Sequence, residues 1–275
     1  MKDNGLLVQY FNANTPADQT LWAKAAKDAA TLKKLGATAV WFPPATKGAA
    51  GKDDRGYAPY DLYDLGEFNQ KGSVGTRYGT KKEYLEAIDA MKAQGINVYA
   101  DIAVRQKLGA DSVEKVTAAD FNAKDIPQMI GNKKIVGALS KFTFPGRKSK
   151  YSKFKWNWNH FAGIDWQQDD FKRRVCELSG MTEMEAEKKY KLSKYDYIIG
   201  SELDLYNQEV YDELMAWAKW YENVTGVDGF RFQEAEKIPG WFIRDFAEAA
   251  SNAGEEEKEI FTVGDFWHWR CGCLL

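Results

Sequence analysis

The sequence predicts an α/β fold of about five parallel strands, interrupted by one long insertion. Short apolar runs alternate with helix-period segments through residues 1–104, the alternation fails over 105–200, and it resumes from 201 onward. Residues 5–11 make the first expected strand. A helix over 20–35 follows, because Leu21, Ala25, Ala29 and Leu32 recur at three- and four-residue steps and Gly36 supplies a stop. Residues 37–42 are the second strand, ended by Pro43 and Pro44. After a polar loop, Tyr84, Leu85, Ile88 and Met91 mark the inner face of a helix over 80–94, closed by Gly95, and residues 96–104 are the third strand.

Residues 105–200 are too long for an ordinary loop and read as an inserted domain. Within them, 181–192 place acids early and lysines late, which suits a solvated helix and its macrodipole. Beyond, Val210, Leu214, Trp217 and Tyr221 form the apolar stripe of a helix over 207–221. A fourth strand over 226–233, a helix over 241–252 and a fifth strand over 260–265 complete the order. The expected domains are therefore 1–104 with 201–275, and 105–200. Five parallel strands leave the first and fifth as open edges, so self-association or a covering partner is expected.

Lys and Arg number 38 against 40 Asp and Glu, without long blocks of like charge, which excludes a nucleic-acid footprint or a membrane-seeking tail. No run reaches the length of a membrane span, and Leu6-Leu7-Val8 is too short an apolar stretch for a signal peptide, so a cytoplasmic location is expected. Cys176, Cys271 and Cys273 show no zinc spacing with His160 or His268 and read as free thiols. The last residues do not form a lipidation box, because Gly272 stands fourth from the end. Aromatic residues make up 14% of the chain, a share that serves sugar stacking and ordinary packing alike.

In a barrel of parallel strands the chemistry gathers at the C-terminal strand ends. Here those ends read Asp101-Ile102-Ala103-Val104-Arg105-Gln106, Gly229-Phe230-Arg231-Phe232-Gln233 and Thr262-Val263-Gly264-Asp265-Phe266-Trp267. They resemble the short blocks of glycoside hydrolase family thirteen, the α-amylase family, in its bacterial cytoplasmic and liquefying form. Leu7-Val8-Gln9-Tyr10-Phe11, Trp41-Phe42-Pro43-Pro44-Ala45, the run from Tyr60 to Gly72, Arg77-Tyr78-Gly79-Thr80-Lys81, Phe142-Thr143-Phe144-Pro145-Gly146-Arg147 and Phe154-Lys155-Trp156-Asn157-Trp158 extend the likeness. The resemblance implies a TIM barrel, present here in part, with a B domain inserted after the third strand. It also implies an α-1,4-glucan or maltooligosaccharide as partner, and strands six to eight and a C-terminal β domain as absent.

The same resemblance assigns roles, and several positions depart from them. The family nucleophile is an aspartate where this chain has Gln233, and an amide neither attacks the anomeric carbon nor balances its developing charge. The family's general acid is a glutamate where this chain has Asp265, shorter by one methylene; displacement of about 1 Å costs on the order of a hundredfold in rate. The third family carboxylate is expected on a later strand. Arg231 matches the arginine that holds the nucleophile; Tyr57, Gln106, Glu236 and Trp267 fall at substrate-facing positions. Calcium is the cofactor the family implies, but its ligand positions read Arg105, Glu202 and Asp204, and an arginine there opposes a dication. Plain packing is the other role open to Tyr57 and Trp267, as is pairing of Arg231 with Asp101 or a strand-end carbonyl, and of Arg105 with Glu202 or Asp204. Period-two alternation turns Glu234 away from the face of Arg231 and Gln233. Three functions are then open: an α-amylase-family protein with lost or very weak hydrolysis, an active retaining endo-hydrolase using Asp265 and a relocated Glu234 or Glu202, and a non-catalytic glucan-binding or assembly module.

Overall fold

A computed structural model describes residues 5–121, 129–167, 172–177, 200–254 and 257–266. The expected helix over 181–192, together with Trp267, His268, Cys271 and Cys273, lies outside the described residues. In chain order the strands of the two larger sheets are β1 (Leu7–Gln9), β2 (Ala39–Phe42), β3 (Asn97–Ile102), β4 (Gln106–Lys107), β5 (Ser112–Phe121), β6 (Met129–Lys141), β7 (Phe161–Gln167), β8 (Lys172–Glu177), β9 (Ser201–Leu203), β10 (Gly229–Phe232) and β11 (Phe261–Gly264). The long helices are α1 (Leu21–Lys34), α2 (Lys81–Ala93), α3 (Gln208–Thr225) and α4 (Gly240–Ser251).

Strands β1, β2, β3, β10 and β11 form one sheet in that order, every neighbour parallel. This is the expected partial TIM barrel. Its core is built from the predicted stripes: α1 buries Trp22, Ala25, Ala29 and Leu32, and α2 buries Tyr84, Ala87, Ile88 and Met91. On α1 only the first position of the stripe differs, since Trp22 rather than Leu21 fills the space against Phe42, Tyr78 and Tyr84, and on α2 Ala87 is buried while the expected Leu85 is half-buried. α2 starts at a capping box, in which Thr80 and Glu83 satisfy each other's backbone N–H groups. α3 starts at Asn207, whose side chain accepts from the Glu209 and Val210 N–H groups, and ends at Gly226 with φ +62°.

The second sheet is antiparallel, ordered β4, β9, β7, β8, β5, β6, and runs from Gln106 to Leu203. Beside it Phe142, Phe144, Trp156 and Phe161 form an aromatic core. Buried charge fastens this region to the loop after β2. Arg147 donates from Nε to Asp61 at 2.8 Å, Gln70 Nε2 donates to Asp61 and Asp64 at 2.9 and 3.0 Å, and Lys47 lies 3.6 Å from Asp64. Among the described residues no helix is long and apolar enough to cross a membrane.

Candidate active site

The C-terminal ends of β2, β3, β10 and β11 converge on Asp101. Its carboxylate is buried and accepts from Arg231 Nη1 at 2.9 and 3.0 Å, from Tyr57 Oη at 2.8 Å and from Trp41 Nε1 at 3.2 Å. Burial pushes the Asp101 carboxyl up to about 6, against the opposing pull of Arg231 and these donors. Burial, then the charge of Asp101, raises the Tyr57 phenol far above its ordinary range. The second terminal nitrogen of Arg231 donates to Asp265 Oδ2, and the guanidinium lies over the Trp41 ring, 4.6 Å from its centroid. The register explains the assembly, because Arg231 pairs with Asp101 on one side and Val263 on the other. Of the two pairings open to Arg231 from sequence, the one with Asp101 is the one formed.

Gln233 is half-buried at the end of this row, and its N–H donates to the Ile102 carbonyl at 3.1 Å. β10 stops at Phe232, so strand alternation does not govern the residues after Gln233. Glu234 adopts φ +49°, a left-handed conformation unusual for a residue with a side chain. Its carboxylate meets Arg105 at 3.1 Å from Nε and 2.9 Å from Nη2, and also accepts from Lys237. Burial would raise the Glu234 carboxyl, but Arg105 and Lys237 outweigh it and hold the group below its usual range. The alternation expected through Glu234 therefore gives way to a turn, and the turn delivers this acid to two cations.

Arg105 is buried and also donates to Glu202 Oε1 at 3.2 Å. The sequence allowed Glu202 or Asp204 as its partner; Glu202 is one, and Glu234 is a second that alternation hid. Gln106 is buried and donates from Nε2 to the Tyr57 carbonyl at 3.1 Å, which steadies the loop carrying that ring. Glu236 Oε2 is buried with no hydrogen-bond partner among the described residues. Asp204 Oδ1 accepts from the Tyr206 N–H at 3.1 Å. For the calcium implied by the resemblance, these residues do not fit. A guanidinium stands between Glu202 and Glu234 where a dication would need oxygen ligands, and no group of three or more His, Cys, Asp or Glu among the described residues is placed to hold a metal ion.

Asp101 as the hub, with Trp41 as a donor to it, is what sequence reasoning underweighted. The available signal was parity: Trp41 and Asp101 sit on adjacent strands, and Trp41 pairs with Tyr99. Chemically the cluster offers a fixed cation between two carboxylates, a phenol and an indole, with an amide at the strand end.

No family model matches the chain. It is 44% identical to an α-amylase of Geobacillus stearothermophilus, with 97% of this chain and 48% of the relative covered, and 36% identical to the cytoplasmic α-amylase of Escherichia coli, with 96% and 54% covered. The chain thus spans about half the length of the curated relatives it matches. Among solved structures, an Anoxybacillus α-amylase superposes with TM-score 0.54 at 16% identity, over 96% of this chain and 46% of that one, a likeness of fold. Near-complete coverage of this chain at such identity, joined to the parallel sheet and strand-end cluster above, places the chain in the α-amylase family, glycoside hydrolase family thirteen.

Proposed function

We propose that this chain, built as a barrel part over 1–104 and 201–275 with an inserted domain over 105–200, acts in α-1,4-glucan metabolism by binding glucan without appreciable hydrolysis. The observation that carries this reading is Gln233 at the end of β10, beside an Arg231 whose bonds go to Asp101 and Asp265. A retaining mechanism needs a carboxylate there to form the glycosyl ester, and a carboxamide oxygen carries no charge to replace it. Asp265, at the general-acid position, has Oδ2 engaged by Arg231 and so directed away from a leaving group. Glu234, the nearest substitute, is engaged by Arg105 and Lys237. Tyr57, Gln106, Glu236 and Trp267 are the residues assigned to sugar contact. Resemblance to a relative named as cytoplasmic supports a cytoplasmic location.

Two measurements test this. Maltoheptaose should shift tryptophan fluorescence with saturation in the millimolar range. Reducing-sugar release from soluble starch should equal that of Gln233→Ala. Release clearly above that control, or a covalent adduct with a mechanism-based fluorosugar, would show an active retaining hydrolase instead.

A further inference from the structure

Away from the strand-end cluster, Tyr206, Tyr211 and Trp241 come together where α3 and α4 begin. Trp241 lies at 5.5 Å and 64° from Tyr206, and at 6.0 Å and 40° from Tyr211. Tyr206 is 55% exposed, and Tyr211 and Trp241 are half-buried. Tyr211 and Trp241 rest partly buried on the hydrophobic core, and Tyr206 stands outside it. Val210, Leu214, Trp217, Phe242 and Phe246 already fill the interface beneath. The surroundings of the rings are polar. Tyr211 Oη donates to Asp245 Oδ2 at 3.3 Å, Arg244 holds the other oxygen of Asp245 at 2.8 and 2.9 Å, and Gln208 donates to Asp212 at 2.7 Å.

We propose that Tyr206, Tyr211 and Trp241, rimmed by Asp245, form a second carbohydrate site that takes one or two pyranose rings of a glucan chain. The C–H face of a pyranose is apolar and weakly positive, and it matches the negative face of an aromatic ring. Its equatorial hydroxyls need acceptors at the rim, which a carboxylate supplies. Exposed rings beside carboxylates therefore fit a sugar better than a protein partner, because the core of a protein interface is depleted of charged side chains. None of the large aliphatic side chains exposed among the described residues lies on α3 or α4. Placement adds to the case, because the N-termini of helices that follow barrel strands share the end where the strand-end cluster lies. One glucan chain bound at this platform therefore lies at the same end of the barrel as Arg231 and Tyr57. The inference takes its ligand class from the proposed function but uses none of the strand-end residues.

Affinity electrophoresis of the full chain through soluble starch tests it. Starch should retard the wild-type chain, and Tyr206→Ala/Trp241→Ala should raise the apparent Kd about tenfold, equivalent to about 1.4 kcal/mol. Tyr206→Ala alone removes a mostly exposed ring and should weaken binding without a change in thermal unfolding, while Tyr206→Trp should retain it. Retardation lost with the platform residues but kept in Tyr57→Ala upholds the platform and removes glucan binding from the strand ends. Retardation kept in both platform variants and lost in Tyr57→Ala overturns the platform and leaves the strand-end reading standing. A wild-type chain that starch does not retard overturns the platform as well.

Discussion

Arg105 sits among acids that would repel one another without it. Its guanidinium bridges Glu202 and Glu234, joining the connection between β3 and β4 to β9 of the antiparallel sheet and to the turn after β10. Arg105→Ala leaves buried carboxylates short of a partner, and breaking such a pair costs about 3–5 kcal/mol. A large fall in the urea midpoint is expected, whereas EDTA should leave the wild-type midpoint unchanged; a midpoint that EDTA lowers would mean a metal ion holds this junction. Lys107, two residues on, is buried with Nζ bonded to the Tyr60 carbonyl at 2.6 Å and with the rings of Phe142, Phe144 and Trp156 at 5.1–5.4 Å. Those rings favour the charged amine, but burial outweighs them and pushes its pKa down to about 7. Between that value and the ordinary lysine range the unfolded chain holds a proton that the folded chain lacks. Stability from this group therefore rises with pH above about 7, and below it the penalty for burying the charge is present in full. Lys107→Met should gain most on the wild type below pH 7, with the difference shrinking by about 2 kcal/mol toward pH 9. Urea midpoints that run parallel at pH 6.5 and 9 would contradict this. Half of the Arg105 role was legible from sequence, which offered Glu202 or Asp204 as its partner but hid Glu234. Lys107 carried no signal, because burial of a charge depends on chain segments distant in sequence.

At the scale of elements, periodicity located α1, α2 and α3, and where it failed the cause is local chemistry. The α2 cap is a case that sequence spells out, since Thr80 and Glu83 stand three apart ahead of an apolar stripe. Thr80 Oγ1 donates to Glu83 Oε2 at 2.7 Å, and the Thr80 N–H donates to the same oxygen at 2.8 Å. Thr80→Ala should cost about 1 kcal/mol in chemical denaturation and Thr80→Ser much less. Equal losses in the two variants would assign the effect to packing of the Thr80 methyl. The end of β10 is the opposite case. Alternation carried through Glu234 overruns the strand, because nothing in Gln233-Glu234-Ala235 announces a left-handed residue. The conformation is held from outside, by Arg105 and Lys237, and by the Ala235 N–H donating to the Asp265 carbonyl at 2.9 Å.

At the scale of the whole molecule, the parallel sheet is what the sequence made plainest and what leaves the most surface unpaired. Among the described residues β1 pairs only with β2, and β11 only with β10. Closing such a sheet takes eight strands, so five leave two rows of backbone N–H and C=O groups facing outward. The side chains there are apolar as well as exposed: Leu6 and Leu7 at 45% and 46% on one edge, Phe261, Val263 and Phe266 at 47%, 37% and 62% on the other. Two edges of the same sense can add strands from another copy, and apolar edge residues make that addition favourable. The 275-residue chain should therefore elute from a sizing column ahead of a monomer, increasingly so as concentration rises. Leu7→Lys/Val263→Lys places a charge on each edge while leaving the α3–α4 platform untouched, and should move elution toward the monomer. A sharp monomer peak for the wild type at all concentrations, with a single cooperative unfolding transition, would mean that the five strands curl tightly enough to shield their own edges.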